Sequence, residues 1–258
     1  MTAAKQWISI LSESGLHALR SFIAGPTLFA FDLDGTLAPI VPDPSKIMIA
    51  DEVRERMTRL CLVAKVTVLT GRSRDDARRY LGFKPLFIVG NHGAEGVPGW
   101  EEREVGFVQL CRGWEEQLQG LLPRTTQNGI VIENKGASLS LHYRNAPEVE
   151  KARMEIMLAV RRLTPLPRQI SGKYVENILP QEALNKGEAL VQIMGHAGTS
   201  RAVFVGDDDT DEDVFRMRDD RILGIRVGNS SPSKARYCLS DQKRIGRLIG
   251  EIMNTVTK

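Results

Sequence analysis

Five short apolar runs constrain this chain more than any other feature of its sequence. They fall at 27–31, 66–69, 86–89, 202–205 and 222–227, and each is nearly continuous rather than alternating. A strand reads that way when both its faces are covered, as in a parallel sheet layered between helices. Helical patterns separate several of the runs. Val53, Met57, Leu60, Cys61 and Ala64 recur on one helical face, with Asp51 placed to cap it. Ser73, with Asp76 three residues on, opens the next helix, and Gly82 is placed to end it. Strands alternating with helices predict an α/β fold built on a doubly wound parallel sheet.

The middle of the chain follows a different pattern. Phe107, Leu110, Cys111, Trp114, Leu118 and Leu121 give a helical face, and the stretch 138–143 (Ser-Leu-Ser-Leu-His-Tyr) then alternates strictly, as a strand with one wet face does. Pro147 suits the first turn of a helix carrying Val149, Ala152, Ile156, Val160 and Leu163. A strand pair is expected near 168–171 and 173–179. Residues 108–179 therefore read as a small α+β unit inserted into a core made of 1–107 and 180–258. The stretch from Val97 to Val105 fits no element, and Trp7, Ile8 and Leu11 suggest a packing helix or a short partner surface.

Composition closes off several function classes. The formal net charge is +3, from 35 Lys and Arg against 32 Asp and Glu, too slight a bias for a nucleic-acid partner. No apolar run approaches the ~20 residues that a membrane span needs. Ser9, Ser12, Glu13 and Ser14 interrupt the apolar stretch a secretory leader would require. The three cysteines, Cys61, Cys111 and Cys238, form no C-x-x-C pair, which fits small buried residues in a reducing compartment. A cytoplasmic, monomeric protein is expected. No G-x-G-x-x-G follows the first strand and no G-x-x-x-x-G-K-[ST] occurs, so neither a dinucleotide fold nor a P-loop is indicated.

The chemistry begins at the end of the first run, with Phe31-Asp32-Leu33-Asp34-Gly35-Thr36. Ligands of open α/β sheets bind at the carboxyl ends of strands, where both aspartates would sit. Two carboxylates at i and i+2 can divide labour. One attacks phosphorus, and the other protonates the leaving oxygen and then activates water. The plainer reading is a turn with two solvated acids. Gly206-Asp207-Asp208-Asp209-Thr210-Asp211-Glu212-Asp213 follows the run at 202–205, and so many carboxylates suit a hard cation such as Mg²⁺. An acidic helix start explains Glu212 and Asp213 as well. An EF-hand is excluded, because Glu212 stands where glycine is needed and Arg218 where the closing glutamate belongs. Leu69-Thr70-Gly71-Arg72 also ends a strand, so Thr70 could meet a phosphate with Gly71 and Arg72 beside it, although a capped turn explains the stretch equally. Asn185-Lys186-Gly187 opens a helix, where a lysine could neutralise phosphate.

The joint order of these four signals resembles the motif series of the haloacid-dehalogenase-like phosphatase superfamily. The resemblance implies a doubly wound core with an inserted α+β cap. It makes Asp32 the nucleophile and Asp34 the general acid and base, with Thr70 and Lys186 holding the transferring phosphoryl group. Mg²⁺ would be held by Asp32, the Asp34 backbone carbonyl and Asp207, with Asp208 close by.

Finer matches narrow the family. Gly90-Asn91-His92-Gly93-Ala94-Glu95, Glu133-Asn134-Lys135, Gly172-Lys173-Tyr174-Val175-Glu176 and the acidic loop together resemble trehalose-6-phosphate phosphatases. That resemblance implies a small sugar phosphate as the partner, read by Glu133, Lys135 and Glu176 on the cap and by Asn91, His92 and Glu95 from the core side. Charged side chains make strong, directional bonds to hydroxyl groups, so these are sensible sugar readers. An ordinary wet strand face would explain Glu133 and Lys135 too. His142 and Arg144 read as solvated. Two other readings stay open: a phosphatase or phosphotransferase for another sugar phosphate, and a noncatalytic sensor of sugar phosphates on the same scaffold.

Overall fold

The computed structural model describes residues 7–122, 129–229 and 233–257. The chain divides into two compact units, Met1–Gly93 with Asn185–Lys258, and Ala94–Leu184. The segment expected as an insertion, 108–179, lies inside the second.

The first unit is built on a parallel sheet of seven strands, in the order β1-β11-β10-β9-β2-β3-β4. These are β1 (Ile8–Ser9), β2 (Thr27–Phe31), β3 (Lys65–Leu69), β4 (Phe87–Val89), β9 (Arg201–Gly206), β10 (Ile222–Val227) and β11 (Tyr237–Leu239). Every residue of β2 is buried, which is why its sequence shows no alternation. On one face Phe29, Phe31, Val66, Val68, Val203 and Val205 pack with Leu19 of α1 (Glu13–Phe22), Met57 and Leu60 of α2 (Asp51–Val63) and Leu248 and Ile252 of α7 (Ile245–Val256). Leu28, Ala30, Ala202 and Phe204 alternate with them and are equally buried, so both faces of the sheet are covered.

Local details differ in part from the sequence reading. Ser73 does cap α3 (Arg74–Leu81), accepting from the Asp76 N–H, and Gly82 ends it at φ +65°. Asp51 is the first residue of α2 instead of its cap; Ala50 holds that position without a side-chain bond. Ile8 and Ser9 form an edge strand beside Tyr237 and Cys238 rather than a helix, because the parallel edge needs a partner for its open backbone groups.

The second unit is an antiparallel sheet, ordered β5-β6-β8-β7, with two helices. The strands are β5 (Val131–Asn134), β6 (Leu139–His142), β7 (Arg168–Gly172) and β8 (Val175–Leu179). Helix α4 (Glu101–Leu121) starts inside the stretch that fitted no element, and α5 is Val149–Val160. Trp114, Leu118, Ile156, Leu139, Leu141 and Ile178 form its core. The Trp114 indole donates to the Pro165 carbonyl at 2.7 Å, which satisfies the polar end of a fully buried ring.

Register sorts this sheet's polar residues onto two faces. Leu141 pairs with Glu176 and Leu139 with Ile178, so Glu176 shares the face of the helix-packed leucines. Glu133 pairs with Ser140, which pairs with Asn177, so these lie on the opposite face.

Candidate active site

The central strands β2 and β9 end side by side, and the Asp32 N–H continues their ladder by donating to the Val205 carbonyl at 2.9 Å. From β2 the sheet runs one way to β3 and β4 and the other way to β9 and β10, so the crevice at its end is the switch point where α/β sheets bind ligands. The loops after β2, β3 and β9 meet there, and α6 (Lys186–His196) starts there. Asn185 caps α6 in a full capping box with Glu188, which fixes where Lys186 begins the helix.

Lys186 is only 1% exposed, and its Nζ lies 2.8 Å from Asp32 Oδ1 and 2.7 Å from Asp211 Oδ1. Asp32, Asp207 and Asp211 bring carboxylate oxygens within 4.8 Å of one another. Thr36 donates its hydroxyl to Asp207 at 3.0 Å. Gly35 sits at φ +85°, and a Cβ there would fall 2.0 Å from Asp207 Oδ2, so only glycine lets the two loops approach this closely.

Crowding sets the electrostatics. Burial, partly offset by Lys186, together with the neighbouring aspartates raises Asp32 well above the usual carboxylate range. Burial, Asp211 and Asp208 push Asp207 up to about 7. Lys186 is raised well above its ordinary value by Asp211 and Asp32, against burial that would lower it. One lysine is too little positive charge for this many buried carboxylates, and the donors are all oxygen. A hard divalent cation fits such a set.

Asp211 was not singled out from sequence, yet it organises the loop. Its Oδ2 accepts the Asp207 and Asp208 N–H groups at 2.7 and 2.9 Å, while its Oδ1 meets Lys186. Its position four residues after Asp207 was the available signal. Asp208, expected near a metal, instead turns Oδ1 to the Thr210 N–H and hydroxyl and to the Asp211 N–H. Against partial desolvation that would raise it, Lys186 and Thr210 hold Asp208 down to about 2.

Asp34 is gripped bidentately by Arg72, with Nε to Oδ2 and Nη2 to Oδ1 both at 2.7 Å. Arg72 also donates to Asp76 and to the Pro44 carbonyl and lies over the Tyr80 ring, so here its guanidinium serves the protein's own groups. Thr70 is buried, and its hydroxyl accepts the Arg72 N–H at 3.2 Å. Gly71 leaves room for the His92 ring, whose Cε1 would lie 2.3 Å from an added Cβ. Asn91 is buried beside it, its N–H donating to the Arg72 carbonyl at 2.7 Å, and both Asn91 and His92 adopt positive φ.

Within the second unit, Glu95 is half-buried. Glu133 lies 3.9 Å from Lys135 Nζ and 2.8 Å from His142 Nε2. His142, read from sequence as solvated, thus belongs to this polar cluster. Glu176 departs from expectation. It is 0% exposed, on the helix-packed face, with its oxygens taken by Arg153 (3.1 Å), Gln169 (2.8 Å) and Ser171 (2.6 Å). The structure does not bring it to the face that carries Glu133 and Lys135.

Residues 30–243 match the family model described as trehalose-phosphatase. A probable trehalose-phosphate phosphatase 9 of Oryza sativa subsp. japonica is 30% identical over 237 residues, covering 78% of this chain, which spans 62% of that relative's length. The solved C-terminal domain of C. albicans trehalose-6-phosphate phosphatase superposes with a TM-score of 0.72 at 21% identity, covering 98% of this chain and 99% of that one. A haloacid dehalogenase-like hydrolase from Bacteroides thetaiotaomicron reaches a TM-score of 0.62 at 18% identity, covering 88% and 99%. At such identities the structural likeness speaks to the fold, a haloacid-dehalogenase-like core with a small antiparallel cap.

Proposed function

The chain belongs to the trehalose-phosphatase family, and from that premise we propose that it is a magnesium-dependent phosphatase hydrolysing trehalose 6-phosphate to trehalose and phosphate. The observation that carries this reading is the bridge from Lys186 to Asp32 and Asp211 inside an all-oxygen cluster at the sheet's switch point.

Asp32 is the nucleophile. Its oxygen bonds to phosphorus as the ester P–O bond breaks, and the bonding pair leaves with the sugar oxygen. Asp34 protonates that oxygen, then takes the proton of the water that attacks phosphorus and frees Asp32 and phosphate. To meet the leaving oxygen, the Asp34 carboxyl must leave the Arg72 fork. Lys186 and Thr70 hold the phosphoryl oxygens, with the Gly71 backbone beside them. Asp32 and Asp207, with the Asp34 carbonyl, would hold Mg²⁺, which would supply charge neutralisation for the transferring group. Glu133 and Lys135 read the sugar, with Asn91, His92 and Glu95 as further contacts. Three free cysteines suit a cytoplasmic setting, and no helix among the described residues is long and apolar enough to cross a membrane.

The test is phosphate release from a panel of sugar phosphates, with Mg²⁺ and with chelator. Selective, metal-dependent release from trehalose 6-phosphate is expected. Release from another sugar alone would keep the aspartate chemistry and discard the substrate. No release from any compound by a folded, metal-loaded sample would favour a sensor. Asp32→Asn should abolish turnover while substrate still binds.

A further inference from the structure

Arg226 is a buried cation that the proposed chemistry does not use. It lies on β10 opposite Gly206, the residue just before Asp207, and is 4% exposed. Its Nη1 donates to the Asp208 carbonyl at 2.8 Å and lies 3.5 Å from Glu212 Oε1. Glu212, 3% exposed, accepts the Lys234 N–H at 2.9 Å through its other oxygen. Burying a guanidinium and a carboxylate is costly unless good geometry and further hydrogen bonds offset it, and here those bonds hold one segment in place.

What they hold is the loop behind the cluster. That loop is closed on itself by Asp211 and Asp208, which accept its own N–H groups. Gly206 packs so tightly against Asp211 that an added Cβ would lie 2.3 Å from its Cγ. The bond from Arg226 to the Asp208 carbonyl ties this closed loop to the sheet. We propose that Arg226 is a positioning residue for magnesium, fixing the loop in the form that turns Asp207 towards Asp32. The inference rests on reading the cluster as a magnesium site.

Two effects of Arg226 on a cation oppose each other. Its positive charge repels a second cation, so charge alone would make Mg²⁺ bind more tightly once it is removed. Loss of the tie loosens the ligand-bearing loop, and outer partners of metal ligands typically contribute about 10–100-fold in affinity. Positioning outweighs repulsion. Arg226→Lys separates the two, because it keeps the charge and replaces the rigid guanidinium, whose Nη1 reaches both the Asp208 carbonyl and Glu212, with a shorter, flexible ammonium.

Calorimetric titration of Mg²⁺ into the full chain decides the matter, alongside kcat at saturating Mg²⁺. Arg226→Lys should weaken Mg²⁺ binding by about tenfold or more, with most of kcat restored when the metal saturates. Unchanged or tighter binding would overturn the inference, as would a kcat loss that saturating Mg²⁺ leaves in place. If Arg226→Lys does not fold, Glu212→Gln keeps an oxygen for the Lys234 N–H and puts an amide NH2 in place of the carboxylate oxygen facing Arg226. It should weaken Mg²⁺ binding several-fold, and unaltered affinity would count against the proposal. No Mg²⁺ binding by the unaltered protein would sink the magnesium reading itself, and this inference with it.

Discussion

Replacing Lys186 with methionine isolates the electrostatic debt at the centre of the site. The lysine is almost fully buried, within 2.8 Å of Asp32 and 2.7 Å of Asp211, and methionine keeps its length and apolar stem. Two buried carboxylates then lose their shared counter-charge, and breaking a buried pair by removing one partner costs about 3–5 kcal/mol. At ~2–4 °C per kcal/mol for a domain of this size, Tm should fall by about 6–20 °C. The loss must also depend on pH. With the lysine gone, Asp32 and Asp211 are held further above their unfolded values, so the variant's stability falls as pH rises. The Tm difference from wild type should therefore be larger at pH 8 than at pH 5 when both are measured by thermal unfolding in chelator. Adding Asp211→Asn should recover part of the loss, since it removes one of the two orphaned charges. A Tm change below about 2 °C, or an equal loss at both pH values, would refute the reasoning.

Other expectations follow from the same geometry. Asp207 stands at about 7 in the fold against 3.8 in the unfolded chain, so between those values the native state takes up a proton the unfolded state does not. Metal-free protein should gain stability as pH falls from about 7.5 towards 5, and saturating Mg²⁺ should flatten that slope; Tm measured with chelator across this range checks both. Glu133→Ala should reduce trehalose 6-phosphate hydrolysis far more than hydrolysis of a small aryl phosphate, and equal losses would remove Glu133 from sugar recognition. Glu176→Ala strands the donors of Arg153, Gln169 and Ser171 and should destabilise the second unit by about 2–4 kcal/mol, seen as faster amide exchange across β6, β7 and β8; unchanged exchange would contradict its structural role. Trp114→Phe leaves the Pro165 carbonyl without its indole donor and should cost about 1–3 kcal/mol, measurable by denaturant unfolding of the same unit.

The doubly wound sheet was legible because complete burial removes alternation, and β2 and β9 carry that mark on every residue but exposed Arg201. The gathering of Asp32 and Asp207 was legible for a related reason, whereas Lys186, which starts a helix, was joined to them only by the resemblance to the motif series. A polar residue just after a buried run lies at the edge of the layer, and parallel pairing brings those edges to one end. Partnerships across long separations were not legible. Nothing in the composition of the 207–213 loop says that Asp211, rather than Asp208, takes the lysine. The folded loop decides it: two of its N–H groups fix Asp211 Oδ2 and leave Oδ1 on the lysine, while Asp208 turns Oδ1 to Thr210 and the Asp211 N–H. Nor does Asp34 announce Arg72 as its partner, since that fork forms only when the loop after β3 lies beside the loop after β2.

Glu133 and Glu176 make the division plain. Sequence gives both as acids on strands of one small sheet, equally suited to hydroxyl groups. The register Glu133–Ser140–Asn177 leaves Glu176 one residue out of step. In a pleated strand one residue is the whole difference between faces, so one acid is left exposed and the other sealed against α5. That register is set by which side chains the helices bury, and only the folded unit decides it.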